Sequence, residues 1–361
     1  MEEKKRYTFL INGGIGKELC ATSMFRKLKE KEPDAQITTI SGYPEVYLNN
    51  PNVHRNLHFN TSYVFEDYIV GSDYRTGDPY SFREYFEKKK HLNELYPKAY
   101  RFDWENDNIY PEVYISQNEK ENAEKFIAAS DKPIITLQIT GGNQAQQHPN
   151  KDPKQLTNRD TLFDMGERIV EILTQNNFNV LQISLPHEKK IQGANAPSMP
   201  FRHYMALAPF TAGHIGIDSS FMHVMAAFKD QPSLIFWGNT NTKNLGYPHM
   251  MNVHREACPA PMCGRPNVGL IDVVPEGGWQ CPHGNVCRSW TDEEVTKHVT
   301  AFIKKIREDA VENSPHKEEI KRKTEEIKDD SQNKESLDED KKHICKHKGG
   351  TKECSCSRTK K

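Results

Sequence analysis

The sequence predicts an α/β protein made of two successive parallel-sheet domains followed by a charged tail. Three observations carry this. One segment opening at Tyr7 and another opening at Ile134 share the order strand, glycine-containing loop, helix, strand. The strands are short runs of apolar and β-branched residues, and the helices space their apolar residues three and four apart. The aromatic residues then stop. Residues 308–361 contain no Phe, Trp or Tyr, and about half of them are charged, with both signs interleaved. Such a segment buries too little apolar surface to offset chain entropy, so disorder is expected there. A chain of 361 residues has room for two domains at roughly 100–200 residues each. The expected division is 1–130, 131–307 and the tail 308–361.

In the first domain Tyr7-Thr8-Phe9-Leu10-Ile11 reads as a buried strand and Asn12-Gly13-Gly14-Ile15-Gly16 as a tight turn. Lys17 to Lys31 has helical spacing, with Leu19, Met24, Phe25 and Leu28 on one side and Pro33 beyond its end. Ile37-Thr38-Thr39-Ile40 is a second strand, followed by Gly42-Tyr43-Pro44 and a short helix to Leu48. Residues 60–110 are aromatic and charged without a clear period, so no elements are assigned there. Glu119 to Ala129 reads as a helix leading out of the domain.

The second domain restarts the pattern with the strand Ile134–Ile139 and a polar loop from Thr140 to Arg159. A helix carrying Leu162, Met165, Ile169, Ile172 and Leu173 follows, then strand 179–183, a short helix near Met205, and strand 213–217. Asp218-Ser219-Ser220 caps a helix running to Phe228, and 233–238 is a further strand. Residues 258–287 form a Cys-, Gly- and Pro-rich loop. Thr291 and Glu294 stand in capping-box register at the start of a last helix. Two such domains in succession imply a cleft between them.

Composition narrows the function classes. Lys plus Arg total 49 against 50 Asp plus Glu, so the formal net charge is -1, which argues against a chain that coats nucleic acid or an anionic membrane. No apolar run approaches the about 18–20 residues that span a bilayer. Met1 to Arg6 leads into a short strand rather than a signal-peptide core, so a cytoplasmic location is expected. In a reducing compartment, clustered cysteines read as metal ligands before disulfides.

Three loops carry the candidate chemistry. Gly13-Gly14-Ile15-Gly16-Lys17 lets backbone approach a ligand closely at a helix N-terminus, which favours anions. It is not a P-loop, because the spacing before Lys17 is too short and Glu18 replaces the Ser or Thr that holds magnesium. It is not a dinucleotide fingerprint either, since Cys20 stands where a third glycine is wanted. The plainer reading is a sterically tight turn with a solvated lysine. In Gly216-Ile217-Asp218-Ser219-Ser220-Phe221-Met222-His223, a strand ends where a helix begins, so serine hydroxyls and N–H groups meet at a positive helix end that suits a phosphate. His223 lies one turn on and can add a donor; the plainer reading is a helix cap and a half-buried histidine. Thr140-Gly141-Gly142-Asn143 also follows a strand, and with Lys151, Lys154 and Arg159 it can clamp a diphosphate.

These motifs resemble the ADP-heptose:lipopolysaccharide heptosyltransferases. The N-terminal match runs through the glycine loop, Ala21-Thr22, Arg26-Lys27-Leu28, Glu32-Pro33-Asp34-Ala35, Tyr43-Pro44-Glu45 and Asn50-Pro51-Asn52-Val53. In the second domain, Asp218 to Ala227 resembles the family's Asp-Ser/Thr-Gly-x-x-His donor signature, and Phe236-Trp237-Gly238-Asn239-Thr240 its next strand and loop. The resemblance covers roughly 7–55 and 131–300. It implies a GT-B fold, two Rossmann-like domains facing a cleft, and inverting transfer of a heptose or similar sugar from a nucleotide-diphosphate sugar to a saccharide or protein hydroxyl, with no catalytic metal. It implies donor contacts from Gly14, Gly16, Thr140, Gly141, Gly142, Lys151, Asp218, Ser219, Ser220, Met222 and His223. The family's acceptor-activating aspartate aligns with Lys17, a departure that leaves three readings. Glu18 or a carboxylate from 60–110 acts instead, Lys17 binds a phosphate, or the chain is not catalytic. Glu18 is set about 100° around the helix from Lys17.

Cys258 and Cys263, then Cys281 and Cys287, form two close pairs that suit a structural zinc or iron site, with free thiols or disulfides as the plainer readings. Heptosyltransferase relatives that modify autotransporter proteins carry a four-cysteine iron site in a comparable position, which supports metal by resemblance. Two other function classes stay open. One is a binding protein acting through the Cys- and His-containing tail, with nucleic acid not the expected partner. The other is a sugar-nucleotide epimerase.

Overall fold

The computed structural model describes residues 4–141, 161, 163–186, 188–262, 283 and 286–312. Residues 313–361 of the expected tail, all of 142–160 and most of the cysteine-rich loop therefore lie outside the described residues, while 308–312 continue the last helix. Two parallel sheets organise the chain. The first contains β1 (Arg6–Ile11), β2 (Gln36–Ser41), β3 (Arg55–His58) and β4 (Asp73–Thr76), in the order β3-β2-β1-β4. The second contains β5 (Ile134–Gln138), β6 (Asn179–Gln182), β7 (Gly213–Ile217), β8 (Ser233–Trp237) and β9 (Met251–His254), in the order β6-β5-β7-β8-β9. Every pairing is parallel, with Tyr7 opposite Ile37 and Asp73 in the first sheet and Ile135 opposite Val180 and Gly213 in the second.

The helices used below are α1 (Ile15–Lys31), α2 (Leu92–Ala99), α3 (Gln117–Ala128), α4 (Phe163–Gln175), α5 (Phe201–Leu207), α6 (Ser220–Ala227) and α7 (Asp292–Glu312). Three of them differ from or refine the sequence expectation. Helix α1 begins two residues early, inside the glycine loop, with Gly14 as N-cap and no side chain capping it. Helix α3 starts at a capping box, Ser116 with Glu119, that extends it to Gln117. Helix α6 is capped by Ser219 without a capping bond from its hydroxyl. The capping box expected of α7 is present: Glu294 Oε2 accepts from Thr291 N–H at 2.8 Å, and Thr291 Oγ1 from Glu294 N–H at 3.3 Å.

β1, β2, β5 and β7 are buried on both faces, as central parallel strands require, and their sequences are near-continuous apolar and threonine runs. The chain that resisted reading, 60–110, supplies β4, and Arg55–His58 supplies β3. Both are four-residue edge strands, mostly polar and half-exposed or exposed, so neither carries an apolar signature. Successive residues of the second sheet face different cores. Ile135, Leu137, Ile215 and Leu234 pack with Ile169 and Leu173 of α4 and Val299 and Phe302 of α7. Leu181, Ile235 and Trp237 turn to the other face, where they join one continuous cluster with Phe9, Phe25 and Tyr47 of the first half. Within that cluster Phe9 meets Phe25 and Tyr100 edge-on, with ring centres 5.4 and 5.3 Å apart. Each such fully buried aromatic contributes about 1.5–3 kcal/mol by area alone.

Both sheets lie within one compact unit that ends at Ile306. Polar anchors join the two sheets inside that unit. Arg202 on α5 donates to both Glu119 oxygens, at 2.6 and 2.9 Å, and also to the carbonyls of Tyr114 and Glu45. Asn244 donates to the carbonyls of Tyr85 and Lys90, each at 3.0 Å. Among the described residues no helix is long and apolar enough to cross a membrane.

The Arg202 bonds hold the Glu119 carboxyl down to about 2. A depressed folded value means that the pair's stabilisation is present above about pH 4.5 and is lost as pH falls toward 2. Glu119→Gln should therefore cost about 2 kcal/mol at pH 7 in urea unfolding. Its curve should converge on the wild type as pH falls through that window, and a constant gap down to pH 2 would show that the charge is not what stabilises.

Candidate active site

In open parallel sheets, ligands bind outside the carboxyl ends of the strands, where the strand order reverses. The first sheet reverses between β1 and β4, and the second between β5 and β7. The four loops leaving these strands carry the glycine turn (Asn12–Gly14), Gly77-Asp78, Thr140-Gly141 and Asp218-Ser219. Three of the four are the loops that the sequence motifs singled out. Asp78 is the one missed, because it follows an edge strand without an apolar signal.

The two reversal points meet. A Cβ on Gly16 would lie 3.2 Å from His223 Cδ2 and 3.5 Å from Ser220 Cα. Gly16 thus brings the backbone of α1 against the start of α6, a protein–protein approach rather than the ligand approach expected of it. One turn later Cys20 Sγ, fully buried, lies 3.5 Å from His223 Nδ1. Tyr247 Oη is 2.7 Å from the same nitrogen. Burial raises the Tyr247 phenol well above its ordinary value and keeps it protonated. A Tyr247 hydroxyl donating to Nδ1 would leave Nε2, the nitrogen beside Gly16, as the ring's other hydrogen-bonding atom.

Gly14, Ile15, Gly16, Lys17 and Ser220 are half-buried at the rim of this junction, whereas Asp218, Ser219 and His223 are buried. Ser219 does not offer its hydroxyl outward, since it donates to Gln138 Oε1. The same oxygen accepts from Phe221 N–H at 3.2 Å, so Gln138, reaching over from the end of β5, satisfies a donor of α6 that the sequence reading assigned to a ligand. Met222 is fully buried in the shared core, where it packs against protein. Thr140 donates to Glu188 Oε1 at 3.1 Å, beside the half-buried Gly141. Gly142 and Lys151 lie outside the described residues.

Lys17 and Glu18 diverge, as their angular separation on α1 requires. The stem of Lys17 folds back over Gly13, whose φ is +145° and on which a Cβ would lie 2.6 Å from Lys17 Cδ. Its Nζ reaches Asp78 Oδ1 at 3.0 Å. Glu18 is buried on the other side. Its Oε2 accepts from Tyr47 Oη at 2.8 Å and its Oε1 from Gly42 N–H at 3.2 Å. Burial pushes its carboxyl up to about 7, against those hydrogen bonds.

Of the four clustered cysteines, Cys258 and Cys287 are described and both are buried, while Cys263 and Cys281 lie outside the described residues. Arg255 draws the two described segments together by donating to Val286 O at 3.0 Å and to Glu294. Among the described residues no group of three or more His, Cys, Asp or Glu side chains is arranged to hold a metal. A surface recess lined by Ser130, Asp131, Ile134 and Asn179 lies at the amino ends of β5 and β6, opposite the loops above.

No protein-family model matches the chain, and no curated protein matches it by sequence. Solved structures do. The glycosyl transferase family 9 protein from Veillonella parvula DSM 2008 superposes with a TM-score of 0.58 at 14% identity, over 84% of this chain and 99% of that one. The ADP-heptose LPS heptosyltransferase II of E. coli gives 0.56 at 12% identity, over 83% and 99%. TibC, a dodecameric iron-containing heptosyltransferase of enterotoxigenic E. coli H10407, in complex with ADP-D-beta-D-heptose, gives 0.57 at 10% identity, over 86% and 79%. The chain therefore has the GT-B fold of the heptosyltransferases, as its motifs predicted.

Because the Glu18 carboxyl is raised in the fold, the folded chain binds its proton more tightly than the unfolded chain does. The stability from that difference is full below about pH 4.5 and is lost as pH rises toward 7. Relative to Glu18→Gln, which does not titrate, the wild type should lose on the order of 3 kcal/mol across this window. Parallel stability–pH curves for the two would contradict the burial of that carboxyl.

Proposed function

We propose that the chain is a glycosyltransferase that moves a heptose or similar sugar from a nucleotide-diphosphate sugar to a hydroxyl of a saccharide or protein. The observation that carries this reading is the meeting of the two strand-order reversals. The start of α1 and the start of α6 form one rim, and each presents a positive helix end. A diphosphate leaving group gathers negative charge as the sugar departs. Fixed N–H groups, the half-buried Ser220 hydroxyl and the Nε2–H of His223 supply donors that need no reorganisation at that moment. The likeness of fold to ADP-heptose-using enzymes supports the same reading.

Within it, Gly14, Thr140, Gly141 and Ser220 line the donor, with Gly142 and Lys151 extending the phosphate clamp, and Gly16 sets the approach of α1 to α6. Asp218 and Ser219 hold the turn from beneath, Ser219 through Gln138. His223 donates and is aimed by Tyr247. Met222 supports the helix by packing. Glu18 acts on structure through Tyr47 and Gly42 rather than on the acceptor.

The cysteine loop belongs to the proposal in a separate capacity. Cys258, Cys263, Cys281 and Cys287 would hold a structural zinc or iron as thiolates. The fit rests on the burial of Cys258 and Cys287 and on Arg255 binding their two segments together. The bound metal would tie the loop's ends and takes no part in sugar transfer.

A thermal-shift screen against ADP-, GDP- and UDP-sugars tests the donor class. The matching sugar at 100 times its Kd should add about 2.7 kcal/mol of stability. His223→Ala and Tyr247→Phe should weaken that sugar at least about tenfold, one direct donor's worth, while remaining folded. A folded wild type that responds to no nucleotide sugar would overturn the reading. Metal analysis of the purified full chain should find about one zinc or iron per chain, reduced in Cys258→Ser. Metal-free protein of unchanged stability would exclude the structural site.

A further inference from the structure

Resting on the transferase reading above, the geometry also bears on how the acceptor is activated. Transfer to a hydroxyl needs a group that takes the hydroxyl proton as the new bond forms. Glu18 is spent on Tyr47 and Gly42. Lys17, as an ammonium, has no lone pair with which to accept a proton. Among the described residues, Asp78 presents a part-exposed carboxylate beside Lys17 at this rim, and we infer that Asp78 is the general base for the acceptor hydroxyl, with Lys17 as its positioning residue.

Four observations point there. Asp78 leaves β4, the strand paired with β1 across the first reversal point, so it faces the crevice in which the sheet binds ligands. Gly77 lets that turn run tight against α2, since a Cβ there would overlap the Ala99 carbonyl. Asp78 Oδ1 is fixed twice, accepting from Tyr80 N–H at 3.2 Å and from Lys17 Nζ at 3.0 Å. Its carboxylate is 41% exposed, and among the described residues Oδ2 makes no hydrogen bond. One oxygen is thus anchored and the other is presented outward.

Lys17 is equally constrained. Its stem lies across Gly13, and its own carbonyl accepts from Tyr96 Oη. It sits next to Gly16, the residue that touches Ser220 and His223, so the pair is contiguous with the donor rim. The step then balances. The acceptor oxygen bonds to the anomeric carbon while that carbon's bond to the diphosphate oxygen breaks. The electron pair of that bond leaves with the nucleoside diphosphate. The acceptor proton passes to Asp78 Oδ2 and from there to solvent.

The test reads two quantities on the full chain. One is affinity for the nucleotide sugar that stabilises the wild type. The other is release of nucleoside diphosphate from it with water as acceptor. Asp78→Asn keeps the turn's N-cap, because asparagine caps as well as aspartate. It should bind the sugar within twofold and release diphosphate at least about 100-fold more slowly. Lys17→Met leaves the carboxylate but removes the cation that anchors its Oδ1, so diphosphate release should slow about tenfold while affinity stays within twofold. Near-wild-type release by Asp78→Asn with intact affinity would overturn the inference and leave the transferase reading standing. Unchanged release by bound Lys17→Met, with affinity down tenfold, would make Lys17 a phosphate ligand and also overturn it. A wild type that binds no nucleotide sugar removes the transferase reading, and this inference with it.

Discussion

The structure depends on one close approach, that of the first turn of α1 against the first turn of α6. It exists because residue 16 has no side chain. A Cβ there would crowd the His223 ring at 3.2 Å and sit in contact with the backbone of Ser220. From this contact the rest follows. Cys20, one turn along α1, falls against the His223 ring, Tyr247 closes over its Nδ1, and the aromatic and aliphatic side chains behind them form one core that belongs to both sheets. Two helix N-termini, each the positive end of its helix dipole, are brought to one edge. A rim with that electrostatic character suits a polyanion.

The same contact explains the division of labour among adjacent residues. Lys17 and Glu18 follow one another in sequence but are turned apart by the helix. Lys17 stays at the rim and finds Asp78, while Glu18 is driven inward and finds Tyr47 and a backbone N–H. Ser219 and Ser220 divide in the same way. One hydroxyl is taken by Gln138 and the other stays half-exposed. Sequence neighbours that read as one motif are therefore one rim-facing residue and one inward-facing residue, sorted by the direction in which each side chain leaves the backbone.

Much of the fold was legible because central parallel strands and amphipathic helices write strong patterns. β1, β2, β5, β7 and β8 follow their apolar runs to within a residue. The capping boxes at Ser116 and Thr291 lie where the chain enters helices, although only the second was read in advance. β3 and β4 were illegible for a physical reason. An edge strand keeps one side open to water, so Arg55-Asn56-Leu57-His58 and Asp73-Tyr74-Arg75-Thr76 fit the sheet without apolar alternation. That gap hid Asp78 as well, because its place is defined by the strand before it. Of the candidate site, the glycine turn and the Asp218–His223 stretch were legible as a region. The tasks of individual residues were not. Those tasks turn on partners far away in sequence, such as Gln138 for Ser219 and Tyr247 for His223, which no local spacing encodes.

The central claim is that one ligand engages both reversal points at once. Hydrogen–deuterium exchange of the full chain, with and without a saturating nucleotide-diphosphate sugar, tests it most directly. The account predicts slower exchange in two peptides together, one covering residues 14–20 and one covering 218–224. Protection confined to one of them, or centred instead on the recess at Ser130 and Asn179, would contradict a shared site.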